Sequence, residues 1–78
     1  MIRDKVLEVM AEVLGETGFL KSQDFIEDGW LDSMEIVELV TELEDIFDIE
    51  LRGGDIIPEN FVSLETIAQL IENYVKED

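Results

Sequence analysis

Asp32 and Ser33 stand where an irregular stretch gives way to a strongly periodic one, in the run Gly29-Trp30-Leu31-Asp32-Ser33-Met34-Glu35-Ile36. Asp32 is placed to cap the helix that starts here. Glu35, three residues on, is placed to return the bond, which is the pattern of a capping box. Ser33 then falls in the first turn, where backbone N–H groups lack partners inside the helix. A phosphodiester on its hydroxyl would sit at the positive end of the helix dipole. Beyond the serine, Glu35, Glu38, Glu42 and Asp45 recur at helical spacing, so one partner surface can meet them together. A plain cap and a solvated acidic face are the ordinary uses of such residues. Modification of the hydroxyl and recognition of a basic surface are the chemical ones.

The rest of the composition narrows the chemistry. The chain has no cysteine and no histidine. A disulfide framework, a thiolate–imidazole zinc site and histidine-based nucleophilic catalysis are therefore excluded. Paired carboxylates such as Glu44 and Asp45 lie side by side on a helix and do not converge on a pocket, so the sequence reads as a non-enzyme. Twenty-one acidic residues face five basic ones, for a net charge of −16. That balance repels nucleic acid and attracts basic protein surfaces. The N-terminus lacks the apolar run of a signal peptide and no segment is long enough to span a bilayer, which points to a protein not embedded in membrane and a cytoplasmic location.

Three stripes of apolar residues must position these groups. Ile2, Val6, Val9, Met10 and Val13, widened by Leu7 and Leu14, predict an amphipathic helix that stops near Gly15. From Glu16 to Asp32 no period holds, and Phe19, Leu20, Phe25, Ile26 and Leu31 are expected to pin a long loop to the core. From Ser33 to Phe47 the stripe is Ile36, Leu39, Val40, Leu43, Ile46 and Phe47. Arg52-Gly53-Gly54 reads as a flexible turn, and Asp55 to Asn60 leaves room for one short helical turn that Pro58 can open. Ser63 caps a last helix, with Val62 and Ile67 placed as a hydrophobic staple and Leu64, Ile67, Leu70, Ile71, Tyr74 and Val75 on its apolar face. The whole, 1–78, is read as one all-α domain: three main helices, one short helix and a long first loop.

Two bland alternatives fit the same residues. An unmodified acidic helical adaptor shares the fold and the charge. A calcium loop counted from Asp24 places Asp28, Gly29, Asp32 and Glu35 well but fails at its third position, Ile26.

Asp32-Ser33-Met34 followed by an acidic helix resembles the Asp-Ser-Leu motif of acyl and peptidyl carrier proteins. The likeness runs through Val37-Glu38-Leu39-Val40, Leu43-Glu44, Phe47-Asp48-Ile49-Glu50-Leu51 and Ile57-Pro58-Glu59-Asn60-Phe61, nearly the whole chain. It implies an acyl-carrier-like four-helix bundle. It also implies that a phosphopantetheinyl transferase moves 4'-phosphopantetheine from coenzyme A to Ser33, beside Asp32, and that the arm holds an acyl or aminoacyl cargo as a thioester. By the same resemblance, partner enzymes with basic patches meet Met34, Glu35, Val37, Glu38, Thr41, Glu42 and Asp45. Those partners are a loading ligase and downstream transferases, and the carrier itself acts as a monomer. Met34 replaces the commoner leucine, and Thr41 stands where fatty-acid carriers often have an apolar residue. The Leu31-Asp32-Ser33 form is similar to D-alanyl and stand-alone aminoacyl carriers, which places a specialised acyl or aminoacyl carrier ahead of the fatty-acid type. The resemblance further offers Leu39, Leu43, Ile57 and Ile67 as the lining of a gap for a fatty chain, beside the plain reading of core packing. Trp30 reads as a loop anchor, with a place beside the base of the arm as the sharper alternative.

Overall fold

The apolar stripes become three α-helices in a computed structural model that describes residues 1–75. Helix α1 spans Ile2–Leu14, buries Val6, Val9 and Met10, and ends at Gly15 in the left-handed conformation (φ 73°) that a side chain would resist. Helix α2 spans Ser33–Phe47 and buries Ile36, Leu39, Val40 and Leu43. Helix α3 spans Leu64–Val75 and buries Leu64, Ile67, Ala68, Leu70 and Ile71. Its first turn is capped by Ser63, whose Oγ accepts from the Thr66 N–H at 3.1 Å while the Thr66 hydroxyl accepts from the Ser63 N–H at 3.1 Å. Helix α1 packs against both α2 and α3. The predicted short helix is a 3₁₀ turn at Pro58–Phe61, and Gly53–Asp55 and Gly18–Lys21 form two more. Arg52-Gly53-Gly54 thus leads into a 3₁₀ turn. No strand forms among the described residues.

One core joins all these pieces. Phe19, Phe25 and Leu31 bring the long loop into it, and Phe61 and Leu51 bring in the second connection. Every buried residue among those described is apolar. The loop is also tied by its backbone: the Phe25 N–H donates to the Val62 carbonyl (2.8 Å), and the Phe25 carbonyl accepts from both Trp30 and Leu31. Trp30 meets Phe19 edge-on, 6.4 Å between ring centroids, and its indole lies where a Cβ on Gly18 would be, 2.9 Å away. It is a loop anchor, and Gly18 makes the room for it.

Three expected core residues are corrected. Leu20 is 51% exposed, Ile46 45% and Ile57 39%. Leu20 sits in a single 3₁₀ turn in which Phe19 takes the buried position. Ile46 lies at the edge of the α2 stripe, where Leu43 and Val40 already fill the interface. Ile57 is on the surface while Leu39, Leu43 and Ile67 are fully buried in the core.

The second connection is stitched to α3 by polar groups. The Tyr74 hydroxyl donates to the Asp55 carboxylate and accepts from the Arg52 N–H (2.9 Å). The Arg52 guanidinium lies 5.6 Å from the Tyr74 ring centroid, a cation–π distance. Asn60 Nδ2 donates to the Asp55 carbonyl at 2.8 Å. Partial burial and the bond to Asp55 both hold the Tyr74 hydroxyl above its ordinary pKa. At the end of α2, Glu44 reaches forward so that its carboxylate accepts from the Leu51 N–H at 2.8 Å.

Candidate functional site

The long loop delivers Asp32 in an extended conformation (φ −106°, ψ −175°), and the helix starts at the next residue. The Asp32 carboxylate accepts from the Glu35 N–H at 2.8 Å, and the Asp32 N–H donates to Glu35 Oε1 at 3.1 Å. The capping box read from sequence is therefore complete. Both carboxylates spend an oxygen inside the turn, which leaves Ser33 exposed at the first helical position with nothing packed over it. The amides of Ser33 and Met34 stay without an intrahelical acceptor, at the positive end of a helix of 15 residues.

The face that follows is exposed and acidic. Glu38, Glu42 and Asp45 are exposed and have no hydrogen-bond or ion-pair partner among the described residues, while Glu35 is half-buried by its role in the cap. Met34 and Val37 add apolar surface beside the serine, 73% and 61% exposed. The Thr41 hydroxyl donates back to the Val37 carbonyl at 2.9 Å, so its proton is used inside the helix and is not offered to a partner. Ser33, Met34, Val37 and Glu38 line one shallow, mostly apolar cleft. Asp32, Ser33, Met34, Val37 and Glu38 thus come together at one end, Thr41 and Glu42 continue the face by a turn, and Asp45 lies a further turn away.

A family model described as a phosphopantetheine attachment site matches residues 4–72. An acyl carrier protein of Campylobacter lari is 38% identical over 77 residues, covering 96% of this chain and 97% of the relative. Acyl carrier proteins of Buchnera aphidicola and Clostridium acetobutylicum are each 34% identical, covering 95% and 97% of this chain and 95% and 94% of the relatives. The chain belongs to the phosphopantetheine-bearing acyl carrier family. The expected fold, cofactor and carrier class hold with it: this is an acyl carrier and not an enzyme.

The residues present suit the prosthetic group. A phosphodiester needs an exposed hydroxyl and a way to offset its charge beside carboxylates. Ser33 offers the first, and the dipole and free amides of the α2 start offer the second. The stretch counted as a calcium loop is held by local bonds in this structure. Asp24 Oδ1 accepts from the N–H groups of Ile26 and Glu27, and Asp28 accepts from the Ser22 hydroxyl. Among the described residues no three carboxylates gather around a common point. Two supporting roles do not follow from the sequence pattern: Gly18 makes room for Trp30, and Glu44 accepts from the Leu51 N–H. Each acts across a chain reversal that periodicity does not reveal.

Proposed function

We propose that Ser33 is the attachment point of the 4'-phosphopantetheine arm and that 1–78 works as a single carrier domain. The observation that carries the reading is the exposed Ser33 hydroxyl, held at the start of α2 by the reciprocal Asp32–Glu35 cap. When bound, the group supplies a terminal thiol on which cargo is held as a thioester, chemistry that a chain without cysteine does not itself offer. The chain's own residues do the rest. Asp32 and Glu35 fix the turn, the α2 amides face the phosphodiester, and Met34, Val37, Glu38, Glu42 and Asp45 form the surface on which partner enzymes settle. The hydroxyl of Thr41 is occupied, so Thr41 contributes shape more than hydrogen bonding.

The partners implied are a phosphopantetheinyl transferase, a loading ligase and acyl-handling transferases, each with Lys or Arg facing α2. Exposed ion pairs contribute about 0–1 kcal/mol each, which suits a carrier that must bind and release repeatedly. The carrier acts as a cytoplasmic monomer, and no helix among the described residues is long and apolar enough to cross a membrane. Acyl cargo is supported by the relatives' shared name, and aminoacyl cargo by the Leu31-Asp32-Ser33 form. The test is intact-protein mass after incubation with coenzyme A and a broad-specificity transferase. One phosphopantetheine is gained by the native chain and none by Ser33→Ala. A gain retained in Ser33→Ala, or none in a folded native chain with an active transferase, overturns the assignment.

A further inference from the structure

The cleft at Ser33 does not end on α2. Val37 and Glu38 also line a second cleft of about 380 Å³, whose opposite wall is Glu12 and Val13 of α1 and whose far end is Thr41 and Glu42. Its floor is aliphatic, with Val37 exposed and Val13 half-buried. Its rim is three exposed carboxylates, Glu12, Glu38 and Glu42, none with a partner among the described residues. Among the described residues no cation is bonded to that rim. Residues 22–51 contain no Lys or Arg. On α1, Arg3 is bound to Glu65 at 2.8 Å and Lys5 to Glu8 at 3.7 Å, and Lys5 is seven residues, about 10 Å along the axis, from Glu12.

We infer that this two-helix groove seats a ridge of a basic protein partner: an amphipathic helix that places one aliphatic side chain between Val13 and Val37 and Lys or Arg on either side, against Glu12 and against Glu38 and Glu42. The inference rests on the partner surface proposed above and adds α1 to it as a second wall. A flat basic patch meets Glu38 and Glu42 but leaves Val13 in water. A helix, lying along the groove, covers the valines and reaches both rims. The groove is open to solvent along its length, so it does not enclose a small ligand, and a nucleic acid brings charge of the wrong sign.

The test is an amide NMR titration of the chain, before and after transferase treatment, with a helical peptide carrying leucine flanked by lysines. Shifts are expected at Glu12 and Val13 together with Val37 and Thr41. Glu12→Lys, an exposed position, weakens the peptide by roughly three- to tenfold. Glu59→Lys, the same charge change on the Pro58–Phe61 turn, alters it by less than about twofold at moderate salt. Shifts confined to α2, or equal losses in the two variants, overturn the groove. So do shifts at Val13 that appear on attachment of the arm alone, which give the groove to the arm. Mass gain at Ser33 is read on the same samples. Groove binding without that gain refutes the attachment assignment only, and gain without α1 shifts refutes the groove only.

Discussion

On α2, Glu38, Glu42 and Asp45 bond to nothing among the described residues. Between Arg52 and Asn60, by contrast, Asp55 and Asn60 are bonded to each other, and Asp55 and the Arg52 backbone are joined to α3 through Tyr74. Both regions are polar and both lie at the surface. One leaves its charges unpaired, as the proposed partner surface requires, and the other has used its polar groups to fasten a connection that has only short 3₁₀ turns to stabilise it. A side chain committed to an internal bond costs stability when it is changed. One left uncommitted costs recognition, and leaves stability the same or better.

Changes that separate the two regions test that contrast. The largest effect is Ser33→Ala, which abolishes phosphopantetheinylation in a mass assay while leaving the melting temperature close to that of the parent, because Ser33 is exposed and the cap is made by its neighbours. Next is the pair Glu38→Lys and Glu42→Lys. Reversing both charges lowers kcat/KM with the transferase by roughly ten- to a hundredfold, with the melting temperature unchanged or raised as self-repulsion is relieved. Tyr74→Phe is expected to do the reverse. It leaves two polar groups without their partner and costs about 1–2 kcal/mol, seen as a fall of roughly 4–16 °C in the melting temperature of a domain this size, with transferase kinetics unchanged. Asp32→Ala sits between the regions, since it removes a cap worth about 1 kcal/mol at the site itself, and both thermal and transferase assays should register it.

The smallest effects appear in pH profiles. The folded state keeps the Tyr74 hydroxyl protonated above its ordinary pKa, so its contribution is complete below the ordinary tyrosine range. That contribution is lost as pH rises through the folded value. Alkaline unfolding followed by circular dichroism shows this loss in the parent and not in Tyr74→Phe. Glu65 has the opposite sign. Its bond from Arg3 lowers its pKa, so its small, exposed contribution is present above the ordinary carboxylate range and is lost as pH falls. In Arg3→Met that acid-side loss shrinks, leaving only what the backbone N–H of Glu65 contributes.

The same contrast explains what the sequence made legible. The cap and the acidic face of α2 were readable because their determinants are local: Asp32 and Glu35 are three residues apart, and the acidic residues follow the helical period. The helices were readable for the same reason, down to Gly15 as a stop and Ser63 as a cap. The Tyr74–Asp55–Arg52 linkage joins positions about twenty residues apart across a turn, and no spacing rule ties them. Tyr74 was read as one more apolar position on α3, which accounts for its ring and not for its hydroxyl. Leu20, Ile46 and Ile57 were misplaced because apolar character predicts burial only where the surrounding elements have room for it.

The cap around Ser33 also bears on folding speed. Both of its side-chain bonds span three residues, so the turn has almost no loop-closure cost and can re-form on the timescale of helix–coil relaxation, about 0.1–1 μs. The loop before it depends on Phe25 reaching Val62 near the other end of the chain, a contact of high sequence separation that waits for the whole fold. Native-state hydrogen exchange should therefore find the Glu35 amide protected through openings that release Phe25, so the serine turn stays formed even while the preceding loop is open.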